Sequence, residues 1–584
     1  MARGDLVSAY DLTVTGLASE PVCEDLRHLQ ILALARMGDT ERAAQLFDHY
    51  GLASSADPHK RAAAARLLKD RALAVPPGEA RQAALGAAYE AYRIVYRDSG
   101  DSFPGINAAT LAFLCGRKQE ALRIAAELLA HPAVAAPSDY FQAVTKAEAL
   151  LLLGRVDEAA DALALEAVTA SQDHGARSGT RRQFALIADC LALPEAQREA
   201  VLSGLAPPGV LHFAGHMFAE EPLAEARLRA DIDRLLGAED VGFGYGALAA
   251  GADILFAEAL IARGAELHVV LPFDEQDFIA QSVRPGGEGW IPRFRACLAA
   301  AASVTVASAI RYFGDPAQFG YASRVAMGLA RLRAGHLEAN NLQIVVWDGN
   351  PSDGPAGTGA DVGAWLAARG QSVTVAPGDL DRALVRPPPT FVSPCERVLA
   401  AILFTDFVGF SKLAEEVLPA FWDGVMGCVA SVLDERPNDI ASRNSWGDAL
   451  YAVTESATAA AEIALELQRR LASFDFTTLG LDGAGAGAMR VGVHYAPAYR
   501  GRDRITGRTT YYGTEVSRTA RIEPVTPPGA VFVTEPLAAI LALEAGDRFI
   551  CRYVGRIALA KNYGDYPMYR LQQAGTCSQL IGFT

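Results

Sequence analysis

One pattern of apolar and small residues occurs three times within the first 205 residues. Each copy has an apolar helix end, then a glycine, then an alanine five residues after that glycine. The copies are ALARMGDTERA at 33–43, LAFLCGRKQEA at 111–121 and ALLLLGRVDEA at 149–159. A glycine suits the end of a helix, and a small alanine lets the next helix pack closely. The pattern predicts helix-turn-helix units over residues 1–205, and an ordinary helical bundle with three similar turns is the alternative.

From residue 206 onward, short β-type runs alternate with helical stretches. The runs are VLHFAGHM (210–217), VGFGYGA (241–247), ELHVVLPF (266–273), SVTVAS (303–308), LQIVVWDG (342–349) and SVTVAP (372–377). Alternation of strands and helices is typical of βαβ units and a parallel sheet. We therefore expect a Rossmann-like α/β domain over residues 206–385.

The turn after the second of these runs is rich in glycine. It reads Gly242-Phe-Gly-Tyr-Gly-Ala-Leu-Ala-Ala-Gly-Ala-Asp253 and leads into the helix ADILFAEALIARGA. Such turns bring backbone N–H groups and a helix N-terminus up to a phosphate, but they also occur as tight connections without a ligand. If a ligand binds here, backbone contacts are expected at four glycines: Gly215, Gly244, Gly246 and Gly251.

Both upstream regions resemble known domains. The helical units resemble tetratricopeptide-type repeats, although the glycines are unevenly spaced and the aromatic consensus is missing. Through its glycine-rich loop, the central segment resembles the Rossmann-like nucleotide-sensing domains called SLOG. These resemblances imply a small nucleotide-like ligand at the central domain and a protein partner on the repeats. A nucleotide hydrolase would need a nucleophile and a base, and His212 and His216 are better explained as core or cap residues.

Proline marks the boundary of the last domain. The segment RPPPTFVSPCER (386–397) holds four prolines in nine residues. It predicts a stiff linker over residues 386–396. A catalytic domain over residues 397–572 and a tail over 573–584 are expected to follow.

Two aspartates next to apolar β-type runs are candidates for a metal site. In RVLAAILFTDFVGFSKLAEE a strand delivers Asp406 at its end. In NSWGDALYAV the pair Gly447-Asp448 lies between two β-type runs, as at the tip of a hairpin. Taken singly, each aspartate suits a turn. Two strands can also present both carboxylates to one point, where oxygen ligands suit Mg²⁺ or Mn²⁺.

With the sequence downstream, these segments resemble the class III adenylyl and guanylyl cyclase catalytic domain, an α+β fold of ferredoxin-like type. The resemblance implies that the ribose 3′-hydroxyl of a nucleoside triphosphate attacks the α-phosphate and that pyrophosphate leaves. It also implies two divalent cations, bound by Asp406, Asp448 and the backbone carbonyl of Phe407. Family members share two sites across a head-to-tail dimer, so a homodimer is expected and a monomer should be inactive.

Three further segments carry this resemblance: MRVGVHYAPAYRG (489–501), TTYYGTEVSRTARIEPVTPPGAVFVTE (509–535) and GRIALAKNYGDYPMYRL (555–571). By resemblance, Arg521 holds the phosphate charge that develops in the transition state, and Lys561 binds the triphosphate. A surface helix arginine and a solvated hairpin lysine are the alternatives for these two positions.

The sequence departs from the family pattern in two respects. Ser517 occupies the position of the transition-state asparagine. Loss of one preorganised donor costs about 2.7–4 kcal/mol, unless Ser517 itself, a water or Arg518 substitutes. The base-reading positions hold Asn444 and Thr510, which match neither the adenine nor the guanine pattern. ATP or GTP is the foremost expected substrate, and a pyrimidine triphosphate is also compatible.

Composition limits the remaining classes of function. The 584 residues have a formal net charge of −15, which disfavours binding to nucleic-acid phosphates. The longest uncharged apolar run, residues 296–310, is too short for a membrane-spanning helix. The N-terminus has no secretory signal, and the 8 cysteines show neither zinc nor disulfide spacing. We expect a cytoplasmic protein with neither a membrane nor a nucleic acid as a partner.

The favoured hypothesis is a cyclase that the helical and Rossmann-like domains regulate. The alternative is a scaffold protein whose catalytically degenerate cyclase domain only senses a nucleotide. Ser517 and Asn444 favour the scaffold, whereas the retained Asp406, Asp448 and Arg521 favour catalysis.

Overall fold

The computed structural model describes residues 3–352, 354–378, 385, 397–479 and 488–575. The chain divides into two compact units, of which the first is Met1–Pro207 with Gly335–Ala339 and the second is Pro208–Ala334 with Asn340–Thr584. The predicted proline-rich linker, 386–396, and most of the predicted tail, 573–584, lie outside the described residues. The domain boundaries stay predictions.

The first unit is helical, as predicted. Its α-helices are α1 Leu6–Ser19, α2 Glu24–Arg36, α3 Thr40–Tyr50, α4 Pro58–Ala74, α5 Glu79–Ser99, α6 Ser102–Leu114, α7 Lys118–Ala130, α8 Pro132–Ala135, α9 Tyr140–Leu152, α10 Val156–Leu163, α11 Glu166–Thr169, α12 His174–Leu191 and α13 Glu195–Leu202. The repeated glycines end α2, α6 and α9 with left-handed φ angles: Gly38 at +82°, Gly116 at +85° and Gly154 at +77°.

The residue after each of these glycines closes the helix end in the same way. Its N–H donates to a carbonyl five residues back, as from Asp39 to Leu34 and from Arg117 to Ala112. The alanines that follow, Ala43, Ala121 and Ala159, are fully buried. The pattern of glycine and alanine therefore marks close helix-turn-helix packing, as expected.

The second unit begins with a parallel sheet. Its strands are β1 Gly209–Gly215, β2 Val241–Gly246, β3 Glu266–Leu271, β4 Ser303–Val306, β5 Asn341–Val346 and β6 Gln371–Val375. Its helices are α14 Pro222–Ala238, α15 Ala252–Ala262, α16 Glu275–Phe278, α17 Trp290–Ala300, α18 Ala317–Leu337 and α19 Thr358–Ala367. The strands are all parallel in the order β4-β3-β2-β1-β5-β6, so the sheet extends from β1 to one side through β2, β3 and β4 and to the other through β5 and β6. This confirms the predicted parallel sheet, whereas the Rossmann-like assignment stays a prediction.

A mixed sheet with helices follows in the same unit. Its strands are β7 Arg397–Phe407, β8 Ser442–Trp446, β9 Ala449–Thr454, β10 Met489–Arg502, β11 Thr509–Tyr512, β12 Val531–Thr534, β13 Phe549–Ala558 and β14 Asp565–Gln573. Its helices are α20 Leu418–Phe421, α21 Gly427–Asp434, α22 Ala457–Leu471, α23 Thr514–Thr519 and α24 Glu535–Ala545. The strand order is β13-β14-β12-β10-β7-β9-β8, and β11 pairs with β10. Strand β7 is central and pairs antiparallel with both β10 and β9.

One described helical stretch, Glu415–Asp434, is long and apolar enough to cross a membrane by length and composition alone. A π-helical turn interrupts it between α20 and α21. Phe421, Val425 and Val429 are buried within the fold, whereas Trp422 is 50% exposed.

Candidate functional site

Asp406 and Asp448 meet at one end of strand β7. Asp406 is the penultimate residue of β7, and Asp448 lies in the turn between β8 and β9. Gly447 gives this turn a left-handed φ of +61°. Because β9 pairs antiparallel with β7, with Leu450 opposite Thr405, the tip of the hairpin lies beside the end of β7. The Phe407 N–H donates to Asp448 Oδ2 at 3.3 Å.

The meeting of these two carboxylates concentrates negative charge. Burial, followed by the charge of Asp406, raises the pKa of the Asp448 carboxyl to about 6. Burial and the charge of Asp406 likewise raise the pKa of Glu523 to about 7. Among the residues that the structure describes, no group of three or more His, Cys, Asp and Glu side chains is arranged to hold a metal ion. Two carboxylates suit a Mg²⁺ ion that also binds substrate phosphates and water, so the donors present fit such a cation.

Arg490 also belongs to the site, and the sequence analysis missed it. It lies on β10 directly opposite Asp406 in the strand register. Its Nη2 is 2.9 Å from Asp406 Oδ2, and its Nε is 3.3 Å from Glu523 Oε1. The pairing of β10 with β7 brings Arg490 to Asp406, and Glu523 reaches Arg490 from the segment after α23. The local sequence around position 490 carries no signal for this group.

Arg521 follows the short helix α23, and Ser517 lies on that helix. The Arg521 guanidinium lies 5.6 Å from the ring centroid of Tyr563, and its buried Nε has no hydrogen-bond partner. Ser517 is exposed. Within the described ranges, no hydrogen bond or ion pair joins Arg521 or Ser517 to Asp406 or Asp448. The catalytic roles predicted for Arg521 and Ser517 stay predictions.

Arg518, one of the groups that could substitute for the asparagine donor, is engaged within its own chain, and that substitution stays a prediction. Its guanidinium is bound to the Glu515 carboxylate and lies over the Tyr566 ring at 4.8 Å. The Glu515 carboxylate also accepts from His494 Nε2 at 3.0 Å, and the side chains of Arg518, Glu515 and His494 are all buried. Release of Arg518 would leave a buried carboxylate without its cation, which is costly.

The other predicted cyclase residues lie on strands or loops of the same domain. Lys561 is exposed between β13 and β14, with a left-handed φ of +60°. Asn444 is exposed on β8, and its side-chain carbonyl accepts from the Ser445 N–H at 3.0 Å. Thr510 lies on strand β11. This strand is next to β8, where the Ser442 hydroxyl donates to the Thr509 carbonyl at 3.0 Å. Base reading by Asn444 and Thr510 stays a prediction.

The four glycines predicted to bind a ligand in the central domain lie in close packing contacts. A Cβ at Gly215 would be 2.4 Å from Ala252 Cβ, and one at Gly244 would be 2.2 Å from a Leu260 methyl. A Cβ at Gly246 would be 2.5 Å from the Phe213 ring, and Gly251 has φ +102° beside Phe218. Close packing is sufficient to explain these glycines, and their binding to a ligand stays a prediction.

Polar groups gather where β1 and β5 end in that domain. His216 Nε2 lies 3.0 Å from Asp348 Oδ1 and accepts from the Asp348 N–H at 3.1 Å. Asp253, at the start of α15, is buried and accepts from the Ala249 N–H at 3.1 Å. His212 is buried beside Gln343, and burial lowers its pKa to about 3, as suits a core residue.

Two family models match separate parts of the chain. Residues 7–112 match "Tetratricopeptide Repeats-Sensor", and residues 394–573 match "Adenylate and Guanylate cyclase catalytic domain". The resemblances to tetratricopeptide-type repeats and to the cyclase catalytic domain are thereby confirmed, whereas the SLOG-like assignment stays a prediction. No curated protein matches the chain.

Solved cyclase structures are similar to about a third of the chain. The adenylyl cyclase CyaB from P. aeruginosa has 16% identity and a TM-score of 0.27, covering 31% of this chain and 96% of that one. The guanylate cyclase domain of RhGC from Catenaria anguillulae, in complex with GTP, has 16% identity and a TM-score of 0.27, with coverage of 30% and 98%. A Trypanosoma brucei adenylate cyclase has 22% identity and a TM-score of 0.27, with coverage of 30% and 87%.

Proposed function

We propose that residues 397–572 convert a nucleoside triphosphate, ATP or GTP foremost and a pyrimidine triphosphate as a further possibility, to a 3′,5′-cyclic nucleotide and pyrophosphate. The observation that carries the proposal is the convergence of Asp406 and Asp448 at the end of β7, within residues that match the cyclase catalytic domain. Two carboxylates that converge in this way favour a bound divalent cation.

The chain's own residues then have separate tasks. Asp406, Asp448 and the Phe407 carbonyl would hold two divalent cations, Mg²⁺ or Mn²⁺. When bound, these would lower the pKa of the 3′-hydroxyl and neutralise charge on the triphosphate. Arg490 keeps Asp406 oriented by its 2.9 Å contact and adds positive charge next to the phosphates. The Arg521 guanidinium and the Lys561 ammonium would bind the charge on the transferring and leaving phosphates.

A homodimer is part of the proposal. Arg521 makes no bond to Asp406 or Asp448 within the described part of its own chain, so a complete site would combine the carboxylates of one copy with the Arg521 of another. Large apolar side chains are exposed on the same domain: Trp422, Trp446, Ile505 and Tyr512. Aromatic side chains are enriched at protein interfaces, which supports a second copy as the partner.

The upstream domains would regulate this reaction in the cytoplasm. We propose that the central sheet domain binds a small nucleotide-like ligand and that the helical repeats bind a protein. The match of residues 7–112 to a repeat-sensor family supports a sensing role.

The test is incubation of the full chain with Mn²⁺ and each of ATP, GTP, CTP and UTP, followed by mass spectrometry of the products. Asp406→Asn and Asp448→Asn remove the metal-binding charge with little change of shape. Asp423→Asn, at an exposed helix position, is the matched control. A cyclic nucleotide made by the wild type and the control, and lost in both site variants, is the expected result.

A second candidate function is a nucleotide-binding scaffold without catalysis. The exposed Ser517 and the commitment of Arg518 to Glu515 favour it, because neither supplies a carboxamide donor. Binding of a triphosphate with no product from any of the four substrates would support the scaffold and contradict the cyclase.

A further inference from the structure

Within the second compact unit, helix α18 of the parallel-sheet domain packs directly on helix α24 of the cyclase domain. A Cβ at Gly328 would lie 2.0 Å from the Ala539 carbonyl oxygen, so the two backbones are in contact at this point. Met327, Trp365 and Leu543 are buried together beside it. This contact tolerates no side chain at position 328.

Two ion pairs also join the two domains. Arg324 Nη1 lies 3.5 Å from Glu544 Oε1, and Arg397 Nη1 lies 3.4 Å from Asp315 Oδ2. The Arg397 side chain is 4% exposed, and Arg397 is the first residue of strand β7. The parallel-sheet domain is therefore in contact with α24 and with the start of the central strand of the cyclase sheet.

Tyr321, also on α18, reaches strand β10. Its side chain is fully buried, and its hydroxyl donates to the Tyr495 carbonyl at 2.9 Å. The pairing of β12 with β10 ends at Val493, and β11 pairs with β10 only from Tyr499 onward. Because buried carbonyls need donors, the Tyr321 phenol satisfies a backbone group of the other domain. Burial raises the pKa of this phenol well above its ordinary value, so it stays a donor at neutral pH.

The residue next to Tyr495 continues the network toward helix α23. His494 Nδ1 lies 2.7 Å from the Thr534 hydroxyl, and its Nε2 lies 3.0 Å from Glu515 Oε2. Glu515 lies on α23, the helix that carries Ser517 and leads into Arg521. The same strand β10 carries Arg490 near its start, against Asp406.

We infer that Tyr321 is a positioning residue for the cyclase reaction, contributed by the parallel-sheet domain. Its bond to Tyr495 holds β10 in place, and His494 and Glu515 extend that constraint to α23 and Arg521. The kinetic part of this inference rests on the proposed function, whereas the structural coupling of Tyr321 to α23 does not. The parallel-sheet domain is thus a part of the catalytic framework, and a shift of α18 would reach Arg521 by this route.

The test compares Tyr321→Phe in the full chain with Tyr312→Phe. Tyr312 is a partly buried tyrosine of the same domain that packs on Phe273 and has no hydroxyl partner among the described residues. We expect Tyr321→Phe to lower kcat about ten- to a hundredfold, the scale of a slightly misplaced catalytic group. KM should stay within about twofold, because only transition-state contacts change. A purely structural role would lower the melting temperature and leave kcat per folded molecule unchanged, and that result would overturn the inference.

Hydrogen exchange provides a readout that does not depend on turnover. In Tyr321→Phe, peptides spanning residues 494–521 should exchange faster than in the wild type and in Tyr312→Phe. If the wild type forms no cyclic nucleotide, the proposed function fails, and hydrogen exchange alone then tests the structural coupling of Tyr321 to α23. Unchanged exchange over residues 494–521 in Tyr321→Phe would contradict that coupling.

A second pair of variants tests the helix contact. Gly328→Ala forces α18 away from α24, whereas a Cβ at Gly335, on the same helix, would meet nothing within 4 Å. We expect Gly328→Ala to lower kcat and to speed exchange over 494–521, with Gly335→Ala close to wild type. Equal behaviour of the two variants would count against the inference.

Discussion

Arg490 Nη2 lies 2.9 Å from Asp406 Oδ2, although the two residues are 84 positions apart in the chain. The contact exists because β10 runs antiparallel to β7 with these two residues opposite each other. It places a fixed positive charge beside the carboxylates that we propose hold the metal ions. The contact between Arg490 and Glu523 at 3.3 Å extends the same group of charges.

Arg490→Ala should reduce kcat/KM for the triphosphate by about ten- to a hundredfold, the scale of losing one charged hydrogen bond of about 1.5–3 kcal/mol. The reason is that Asp406 loses its orienting partner and the phosphates lose a nearby cation. Steady-state kinetics at saturating Mn²⁺ measures the effect. Arg443→Ala, which removes a surface pair with Asp434, is the matched control. Equal kinetics for the two variants would show that Arg490 has no part in the reaction.

Ser517→Asn should raise kcat, by up to about two to three decades, the effect of one preorganised donor of about 2.7–4 kcal/mol. Ser517 is exposed on α23, so the larger side chain meets no buried neighbour. Arg518 stays bound to Glu515 and does not compete for the position. Single-turnover measurement of product formation provides the comparison. A rate equal to that of the wild type would mean that another group already supplies this donor.

Asp406→Asn and Arg521→Ala should each be inactive alone and recover activity when mixed. In a head-to-tail dimer, the mixed species carries one intact site built from the unaltered half of each chain. Equimolar mixing and exchange should yield about one quarter of wild-type activity, because half of the dimers are mixed and each has one complete site of two. Mixing two different variants of the carboxylates, such as Asp406→Asn and Asp448→Asn, should not recover activity. Recovery there, or none in the first mixture, would contradict the shared site.

Asp361→Asn should stabilise the protein increasingly as pH rises from about 5 to 8. Burial raises the pKa of this carboxyl from 3.8 to about 7, with the Ser323 hydroxyl donating to it at 2.9 Å. Between these two values the folded chain holds a proton that the unfolded chain has lost, so stability falls as pH rises through the window. An asparagine cannot ionise and avoids this penalty.

Melting temperatures at several pH values test the Asp361 prediction, with Asp423→Asn as the exposed control. The difference between Asp361→Asn and the wild type should be larger at pH 8 than at pH 5. A difference that does not change with pH would mean that the folded carboxyl is already ionised across this range, so that burial does not raise its pKa, and would contradict the prediction.

Local features of the fold were predictable because their signals are local. The glycines at 38, 116 and 154 end helices by their left-handed φ angles, and the alanines five residues later are buried. The alternation of β-type runs and helices predicted the parallel sheet, and the pair Gly447-Asp448 predicted a hairpin tip. The cyclase motifs predicted that Asp406 and Asp448 would converge.

Other features depend on contacts between distant segments. The role of Arg490 depends on the register of β10 against β7, which residues 489–501 alone do not reveal. The glycine-rich loop could not be interpreted from sequence for a different reason. Gly244 and Gly246 pack against Leu260 and Phe213, and glycines required by such packing give the same sequence pattern as glycines that bind a ligand. Glycine allows close approach of any neighbour, whether that neighbour is a phosphate or a side chain.

The sequence by itself determined the order of the domains, their elements and the carboxylates of the candidate site, because periodicity, turn residues and motifs act over a few neighbouring positions. Only the tertiary structure decided that Arg490 pairs with Asp406, that Arg518 is bound to Glu515, and that Tyr321 bonds to the Tyr495 carbonyl. These contacts join residues through strand register and helix packing. Each depends on the position of a whole element, and no short stretch of sequence specifies that position.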